Sequence, residues 1–130
     1  MIVVDASAVL ECLLQRPAAA GVRERLFAKG ETLHAPHLLD LEVAQGLRRY
    51  SLLGEIAGEH GHQALQFLLD LPLTRHPHDP FLLRIWALRH NVTAYDAAYV
   101  ALAEALDAPL LTCDKALASV TGHTARIELI

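Results

Sequence analysis

The chain has no apolar run that approaches the ~18 residues needed to cross a bilayer as a helix. Its first residues lack a basic stretch and a small-residue cleavage site, so we expect no signal peptide and a cytoplasmic location. Cysteine is scarce as well: Cys12 and Cys113 are the only two, and both are expected to be reduced thiols. These absences argue against a membrane protein and against a disulfide-stapled secreted scaffold.

A strong excess of basic residues is also missing. The net charge is −4 and the sequence pI is about 6.0, which argues against a general nucleic-acid coat protein. Local binding to phosphate stays open, because basic residues cluster at Arg16, Arg23, Arg25 and Lys29, and again at Arg48 and Arg49.

The sequence contains no linker, internal repeat or low-complexity tract. Its 130 residues fall within the ~100–200 that one domain usually has, so residues 1–130 are expected to form a single domain. Because 53% of the residues are hydrophobic, that domain should bury a substantial core.

Strand-like and helix-like segments alternate along the whole length. Strands are expected at residues 2–5, 32–35, 71–75, 109–113 and 126–130. Helices are expected at about 7–15, 17–29, 36–53, 55–69 and 81–89, after residue 93, and at 114–119. Apolar strands separated by helices of this length indicate a mostly parallel sheet covered on both faces, so the fold class is α/β.

Two of the predicted strands end in the same way. IVVDAS and LLTCDKAL both contain apolar strand residues, then an acid, Asp5 or Asp114, with small or hydroxyl residues beside it, and then the start of a helix. Parallel strands place these acids at the carboxyl edge of the sheet, where open α/β folds bind ligands. Neighbouring strands lie ~4.8 Å apart, so two ionised carboxylates there would repel unless one is protonated or a cation lies between them.

Each acid also has a purely structural interpretation. Asp5 (or Ser7) and Asp114 can cap the helices that follow them, and Asp96 falls at the third position of a helix that Thr93 would cap. The helix that contains Asp96 is apolar almost all round, so its beginning should open into the interior or a cleft.

A fourth acid on the long helix at 36–53 is harder to choose. Glu42 shares a helical stripe with Leu38, Gln45 and Arg49, which is also typical of a solvated face. Periodicity alone leaves Glu42 and Asp40 as alternatives.

Three blocks, IVVDASAVL, APHLLDLEVAQGLRR and TAYDAAYVALAEALDAPLLTCDKAL, together resemble the PIN-domain ribonucleases of the VapC toxin type. The resemblance covers essentially the whole chain. It implies a PIN-like (flavodoxin-like) three-layer fold with a five-stranded, mostly parallel sheet. It also implies a pocket of acids that binds Mg²⁺ or Mn²⁺, formed by Asp5, Glu42, Asp96 and Asp114, and thus favours Glu42 over Asp40.

An all-carboxylate site suits such hard cations. The implied reaction is hydrolysis of RNA phosphodiester bonds by metal-activated water, leaving 5′-phosphate and 3′-hydroxyl ends. In this hypothesis Asp5, Asp96 and Asp114 position one or two ions, and Glu42 completes a site or orients the attacking water. Ser7 and Thr112 either hold the carboxylates or waters in place or make ordinary turn and cap bonds.

Other basic and apolar residues suggest partners. Arg48 and Arg49 lie about two turns beyond Glu42 and either steer RNA phosphates or end a solvated helix. By resemblance we expect a VapB-type antitoxin, whose C-terminal segment lies in a hydrophobic groove, and a homodimer. Five leucines either form an apolar surface for such a partner or belong to the core of the domain. They are Leu10, Leu13, Leu14, Leu52 and Leu53.

Three other functions are weighed. A haloacid-dehalogenase-type phosphatase needs a second Asp two residues after the first, where Ser7 stands here. A binding module without catalysis would use the acids only as helix caps. A PIN-type RNA-processing nuclease would act without an antitoxin. A zinc site is not expected, because the histidines at 60–62 and 76–78 match no structural zinc framework.

Overall fold

Five short strands alternate with seven α-helices in the computed structural model, which describes residues 1–130. The strands are β1 (Ile2–Val4), β2 (Leu33–Pro36), β3 (Leu73–His76), β4 (Leu110–Thr112) and β5 (Ile127–Leu129). The helices are α1 (Ala6–Leu13), α2 (Ala19–Leu26), α3 (Leu38–Leu52), α4 (Gly58–Asp70), α5 (Leu82–Ala87), α6 (Ala94–Leu106) and α7 (Lys115–Ala118). A 3₁₀ turn at Asp79–Phe81 precedes α5.

The five strands form one sheet in the order β3-β2-β1-β4-β5, and every neighbouring pair is parallel. The predicted α/β class and five-stranded sheet are therefore confirmed. The chain builds outward from β1 to β3, then crosses to the other side of β1 to form β4. This reversal between β1 and β4 is a topological switch point, where α/β folds form a crevice outside the carboxyl ends of the strands.

The core is built around β1, β4 and α6. All three residues of β1 and all three of β4 are buried, as expected for central strands covered on both faces. Helix α6 is buried continuously from Ala97 to Ala103 and packs against β1, β2 and β4. Its alanines allow that close approach, so the beginning of α6 is held next to the switch point.

Several predicted boundaries were wrong at proline residues. The helix expected at 17–29 is α2, only Ala19–Leu26, because Pro17 lies in an exposed turn before it. The strand expected at 71–75 is shifted to Leu73–His76, since Pro72 has no N–H to donate to the ladder. The helix expected at 81–89 is divided into the 3₁₀ turn that contains Pro80 and the shorter α5.

No helix combines the length and the apolar character that a membrane crossing requires. Cys12 and Cys113 are unpaired and half-buried.

Candidate active site

Asp5 lies directly after β1 and caps α1, yet it is almost completely buried, with 5% of its surface exposed. Its Oδ1 accepts hydrogen bonds from the Ser7 hydroxyl (2.7 Å) and the Ala8 N–H (3.1 Å). Its Oδ2 accepts from the Thr112 hydroxyl (2.8 Å). Capping therefore accounts for only one of the three donors around this carboxylate.

The two hydroxyl groups are fixed by the backbone of the segment after β4. Ser7 Oγ accepts from the Cys113 N–H and Thr112 Oγ1 accepts from the Asp114 N–H, both at 2.9 Å. A hydroxyl group has one proton to donate. Because Ser7 and Thr112 act as acceptors toward the backbone N–H groups, each keeps its proton for a hydrogen bond to Asp5. Ser7 and Thr112 thus link the ends of β1 and β4 through the carboxylate of Asp5.

Burial raises the pKa of Asp5 above its ordinary value of 3.8, and the charge of Asp114 adds to the rise. The hydrogen bonds from Ser7, Ala8 and Thr112 favour the ionised form and oppose part of that rise in the pKa. A nearby cation would complete the stabilisation of the carboxylate, because the protein supplies no basic side chain to it.

Asp114 emerges at the same edge as Asp5, because β1 and β4 are neighbours with Val4 in register with Leu111. It caps the four-residue helix α7 through one bond from the Ala116 N–H to Oδ1 (2.8 Å). Its side chain is only half-buried, and Oδ2 has no hydrogen-bond partner in the protein. This carboxylate therefore caps α7 with one oxygen and keeps the other free of protein hydrogen bonds.

Asp96 lies at the beginning of α6. The predicted N-cap is present, since Thr93 Oγ1 accepts from the Asp96 N–H at 3.3 Å. The carboxylate of Asp96 makes no hydrogen bond to the protein, so the cap uses the backbone of Asp96 and leaves its side chain free. Burial, followed by the charges of Asp114 and Asp5, raises the pKa of Asp96.

Glu42 faces these acids from α3. Tyr99, a buried residue on α6, donates its hydroxyl proton to Glu42 Oε1 at 2.6 Å, which leaves Oε2 unpaired. Burial raises the pKa of Glu42, the Tyr99 bond counteracts that, and the charges of Asp96 and Asp5 raise the pKa further. The same burial and bond raise the pKa of Tyr99, so its hydroxyl stays protonated and remains a donor.

Asp40, the alternative that periodicity left open, faces elsewhere. Its Oδ2 accepts from Arg75 Nε of β3 at 2.7 Å. It does not line the cleft in which Glu42 lies. Of the two acids of α3, Asp40 therefore forms an ion pair with Arg75, and Glu42 lines the cleft.

All four acids line one cleft of about 600 Å³. Its remaining wall residues are Ala6, Ser7, Leu10, Leu38, Leu41, Gln45, Gly46, Arg49, Tyr95 and Tyr99. No three His, Cys, Asp or Glu side chains stand close enough to enclose one ion as they are placed. The carboxylates thus surround an open space and are not a preassembled coordination shell.

The two candidate RNA-binding arginines differ. Arg49 lines the cleft, whereas its neighbour Arg48 is exposed and lies outside it. Only Arg49 reaches the cleft wall, because successive helical residues point about 100° apart. The possible role of Arg48 and Arg49 in RNA binding stays a prediction. Sequence reasoning also missed Tyr99, although its position three residues after Asp96 on a buried helix indicated that its hydroxyl needs a polar partner.

The leucines suspected of forming partner surfaces also divide into two sets. Leu10, Leu13 and Leu14 pack against the core, while Leu52 and Leu53 at the end of α3 are exposed. An additional apolar groove of about 290 Å³ lies between α1, α2 and α4. Its apolar walls are Val9, Cys12, Leu13, Leu26, Phe27, Phe67 and Leu71.

A parallel α/β sheet with a carboxylate-lined cleft at its switch point defines the general class, and comparisons define the family. A family profile described as PIN domain matches residues 2–122, so the chain belongs to the PIN-domain family. It is 46% identical to Ribonuclease VapC12 of Mycobacterium tuberculosis over 100% of this chain and 99% of that protein. It is 50% identical to Ribonuclease VapC1 of the same species over 98% of this chain and 96% of that protein. The chain is thus a member of the VapC group within the family, as the sequence predicted.

Solved structures share the fold. PAE2754 from Pyrobaculum aerophilum has a TM-score of 0.70 at 25% identity, and the match covers 97% of this chain and 81% of the PAE2754 chain. A second solved structure is VapBC2 from Rickettsia felis bound to a DNA fragment from the promoter. One of its chains has a TM-score of 0.73 at 16% identity, and the match covers 99% of this chain and 98% of that chain. At that identity the second likeness concerns the fold alone.

Proposed function

We propose that this chain is a divalent-metal-dependent endoribonuclease that acts as the toxin of a VapBC-type toxin–antitoxin pair. The observation that carries the proposal is the convergence of Asp5, Glu42, Asp96 and Asp114 on one cleft at the switch point of the sheet. Its full-length relatives in Mycobacterium tuberculosis are named ribonucleases, which supports RNA as the substrate.

The donor set fits a hard cation. The cleft offers carboxylate oxygens and hydroxyl groups but no thiolate or imidazole, which is the ligand chemistry of Mg²⁺ and Mn²⁺. Mg²⁺ keeps several waters and is usually bound by one or two carboxylates, so a ready-made three-ligand cluster is not required. We assign Asp5, Asp96 and Asp114 as the residues that hold the ion. When bound, the ion supplies an activated water and neutralises charge on the scissile phosphate.

The chain's own residues supply the remaining roles. Asp5 is held immobile by Ser7 and Thr112, which fixes one side of the site. Glu42 presents its free Oε2 to the cleft, where it can orient the attacking water and accept its proton, while Tyr99 holds Oε1. Hydrolysis then leaves a 5′-phosphate and a 3′-hydroxyl.

A VapB-type antitoxin is the proposed protein partner. The apolar groove between α1, α2 and α4 suits an apolar peptide segment, because Phe27 and Phe67 on its rim are exposed. The relatives that match this chain over its whole length are VapC proteins, and the Rickettsia felis structure with the same fold is of VapBC2, which supports such a partner. We further infer that the chain acts in the cytoplasm as one PIN domain and pairs as a homodimer.

The test is cleavage of total RNA with Mn²⁺ or Mg²⁺ by the wild type, Glu42→Gln and Asp40→Asn. These acids lie two positions apart on α3, but only Glu42 lines the cleft. We expect Glu42→Gln to lose most activity and Asp40→Asn to keep it, with both variants folded by circular dichroism. Equal cleavage by all three proteins would indicate a contaminating nuclease. No cleavage by the wild type of any RNA would favour a binding module whose acids are helix caps.

A further inference from the structure

Helices α1 and α3 form a seam that leads away from the acidic cleft. Gly46 permits their close contact, since a Cβ there would lie 2.7 Å from Leu10 Cδ1. Asp5 and Glu42 lie at one end of this seam, and Arg16 and Tyr50 meet at the other. The seam thus runs from negative to positive charge.

The positive end is organised by one aromatic ring. The guanidinium carbon of Arg16 lies 4.9 Å from the centroid of the Tyr50 ring, and that of Arg49 lies 5.7 Å from it. Both distances fall within the ~6 Å of a cation–π contact. Two like charges held beside one ring create a concentrated positive surface whose side chains have already lost part of their freedom.

Neither Arg16 nor Arg49 forms a strong ion pair with an acidic side chain. Arg49 has no acidic partner within salt-bridge distance. Arg16 lies 3.5 Å from Glu11 Oε1, with 41% of its side chain exposed, and the other oxygen of Glu11 accepts from the Ala18 N–H. Arg25, by contrast, is held between Glu31 and Glu128 and has no free donor face of this kind.

We propose that Arg16, Tyr50 and Arg49 form a binding site for the sugar–phosphate backbone of single-stranded RNA, beside the cleft. This inference rests on the proposed function. A cleft of four carboxylates repels phosphate before a cation is bound, so substrate capture needs positive charge near the cleft but outside it. Arg49 joins the two regions because it lines the cleft and also contacts the Tyr50 ring.

The spacing is suitable for a short stretch of RNA. Arg49 lies seven positions after Glu42 on one helix, which is roughly 10 Å at ~1.5 Å per residue. A stacked strand rises ~3.4 Å per nucleotide, so the site would hold phosphates about three nucleotides from the scissile bond.

Arg48 is a matched control for the test. It neighbours Arg49 on α3 and is also exposed, but it makes no cation–π contact and lies outside the cleft. The probe is a fluorescent, unstructured RNA oligonucleotide, titrated in EDTA over a series of salt concentrations so that no cleavage occurs. We expect Arg16→Ala and Arg49→Ala each to weaken binding several-fold and to reduce the slope of log affinity against log salt by about 0.7. Arg48→Ala should change neither.

Tyr50 is tested by a conservative pair of variants. Tyr50→Phe keeps the ring and should bind as the wild type does, whereas Tyr50→Leu should lose part of the affinity. In cleavage assays Arg16→Ala should raise KM and leave kcat within about twofold, because it removes binding distant from the reacting atoms. Thermal melting of each variant verifies the fold.

The outcomes separate this inference from the nuclease proposal. An unchanged salt slope and KM in Arg16→Ala, an equal loss in Arg48→Ala, or no RNA binding by the wild type in EDTA would overturn the backbone site. The nuclease would survive any of these results if metal-dependent cleavage persists. Conversely, variant-specific losses of RNA binding without any cleavage would support the backbone site and refute the nuclease.

Discussion

Asp5 and Asp114 occupy equivalent positions at the ends of two neighbouring parallel strands, yet their surroundings differ. Both follow an apolar strand and both cap the next helix. Asp5 is buried under three hydrogen-bond donors, whereas Asp114 is half-buried and accepts one. The same local sequence pattern therefore produces one fixed carboxylate and one adjustable carboxylate.

The difference follows from their places in the fold. Asp5 continues the central strand, and its N–H bonds to the Leu111 carbonyl at 3.1 Å, so both its backbone and its side chain are held. Asp114 begins a helix of only four residues and keeps an unpaired oxygen. In the proposed metal site, one rigid and one adjustable ligand would close around the ion, which is consistent with carboxylates that share a cleft but do not enclose an ion as they are placed.

The largest expected effect is on catalysis by Asp5→Asn. Asn keeps one acceptor for the surrounding donors but lacks the charge that a cation requires. We expect a loss of more than about 100-fold in Mn²⁺-dependent RNA cleavage, since even outer partners of metal ligands contribute 10- to 100-fold. Asp114→Asn, which retains the cap, should lose less. Equal losses in the two variants would contradict the assignment of fixed and adjustable roles.

The next effect is on stability. Thr112→Val leaves Asp5 Oδ2 without its donor and the Asp114 N–H without its acceptor, inside a buried region. The free energy of unfolding, measured in urea, should fall by about 1–3 kcal/mol. Thr74→Val, on the exposed face of β3, is the control and should change it little. A neutral Thr112→Val would mean that Asp5 is not held as described.

A smaller effect concerns pH and the crowding of charges. Because the pKa of Asp96 is raised above 3.8, its contribution to stability is present below that value and is lost as the pH rises through the raised pKa. Asp96→Asn should therefore raise the melting temperature of the metal-free protein at neutral pH. With Mn²⁺ the wild type should gain more than the variant. Identical gains from Mn²⁺ would remove Asp96 from the proposed ion site.

The smallest effect is expected for Tyr99→Phe. It removes one hydrogen bond to Glu42 Oε1 while the buried ring stays in place. A net hydrogen-bond contribution of about 1 kcal/mol corresponds to a fall of roughly 3- to 10-fold in kcat. Melting measurements should show a nearly unchanged fold. A loss as large as that of Glu42→Gln would assign Tyr99 a direct part in the reaction.

The sequence predicted the family, the parallel sheet and the shared edge of Asp5 and Asp114. A strand followed by an acid is a local pattern that the sequence displays directly. Parallel strands then bring the two acids to the same edge of the sheet. It could not separate Glu42 from Asp40 by periodicity, since the deciding contact is with Arg75, 35 positions away. Helical periodicity placed Arg49, and not Arg48, on the same stripe as Glu42, but only the packed structure shows that this stripe lines the cleft. Contacts across elements, such as Tyr99 with Glu42, depend on packing that no local pattern encodes. The catalytic roles of the four acids stay predictions.

A crystal structure of the protein grown with MnCl₂, with an anomalous difference map, tests the metal site most directly. We predict a peak in the cleft about 2.1 Å from an Asp5 oxygen, with Asp96 or Asp114 turned towards it. A cleft without manganese at millimolar concentration, or a peak bound only elsewhere, would contradict the account.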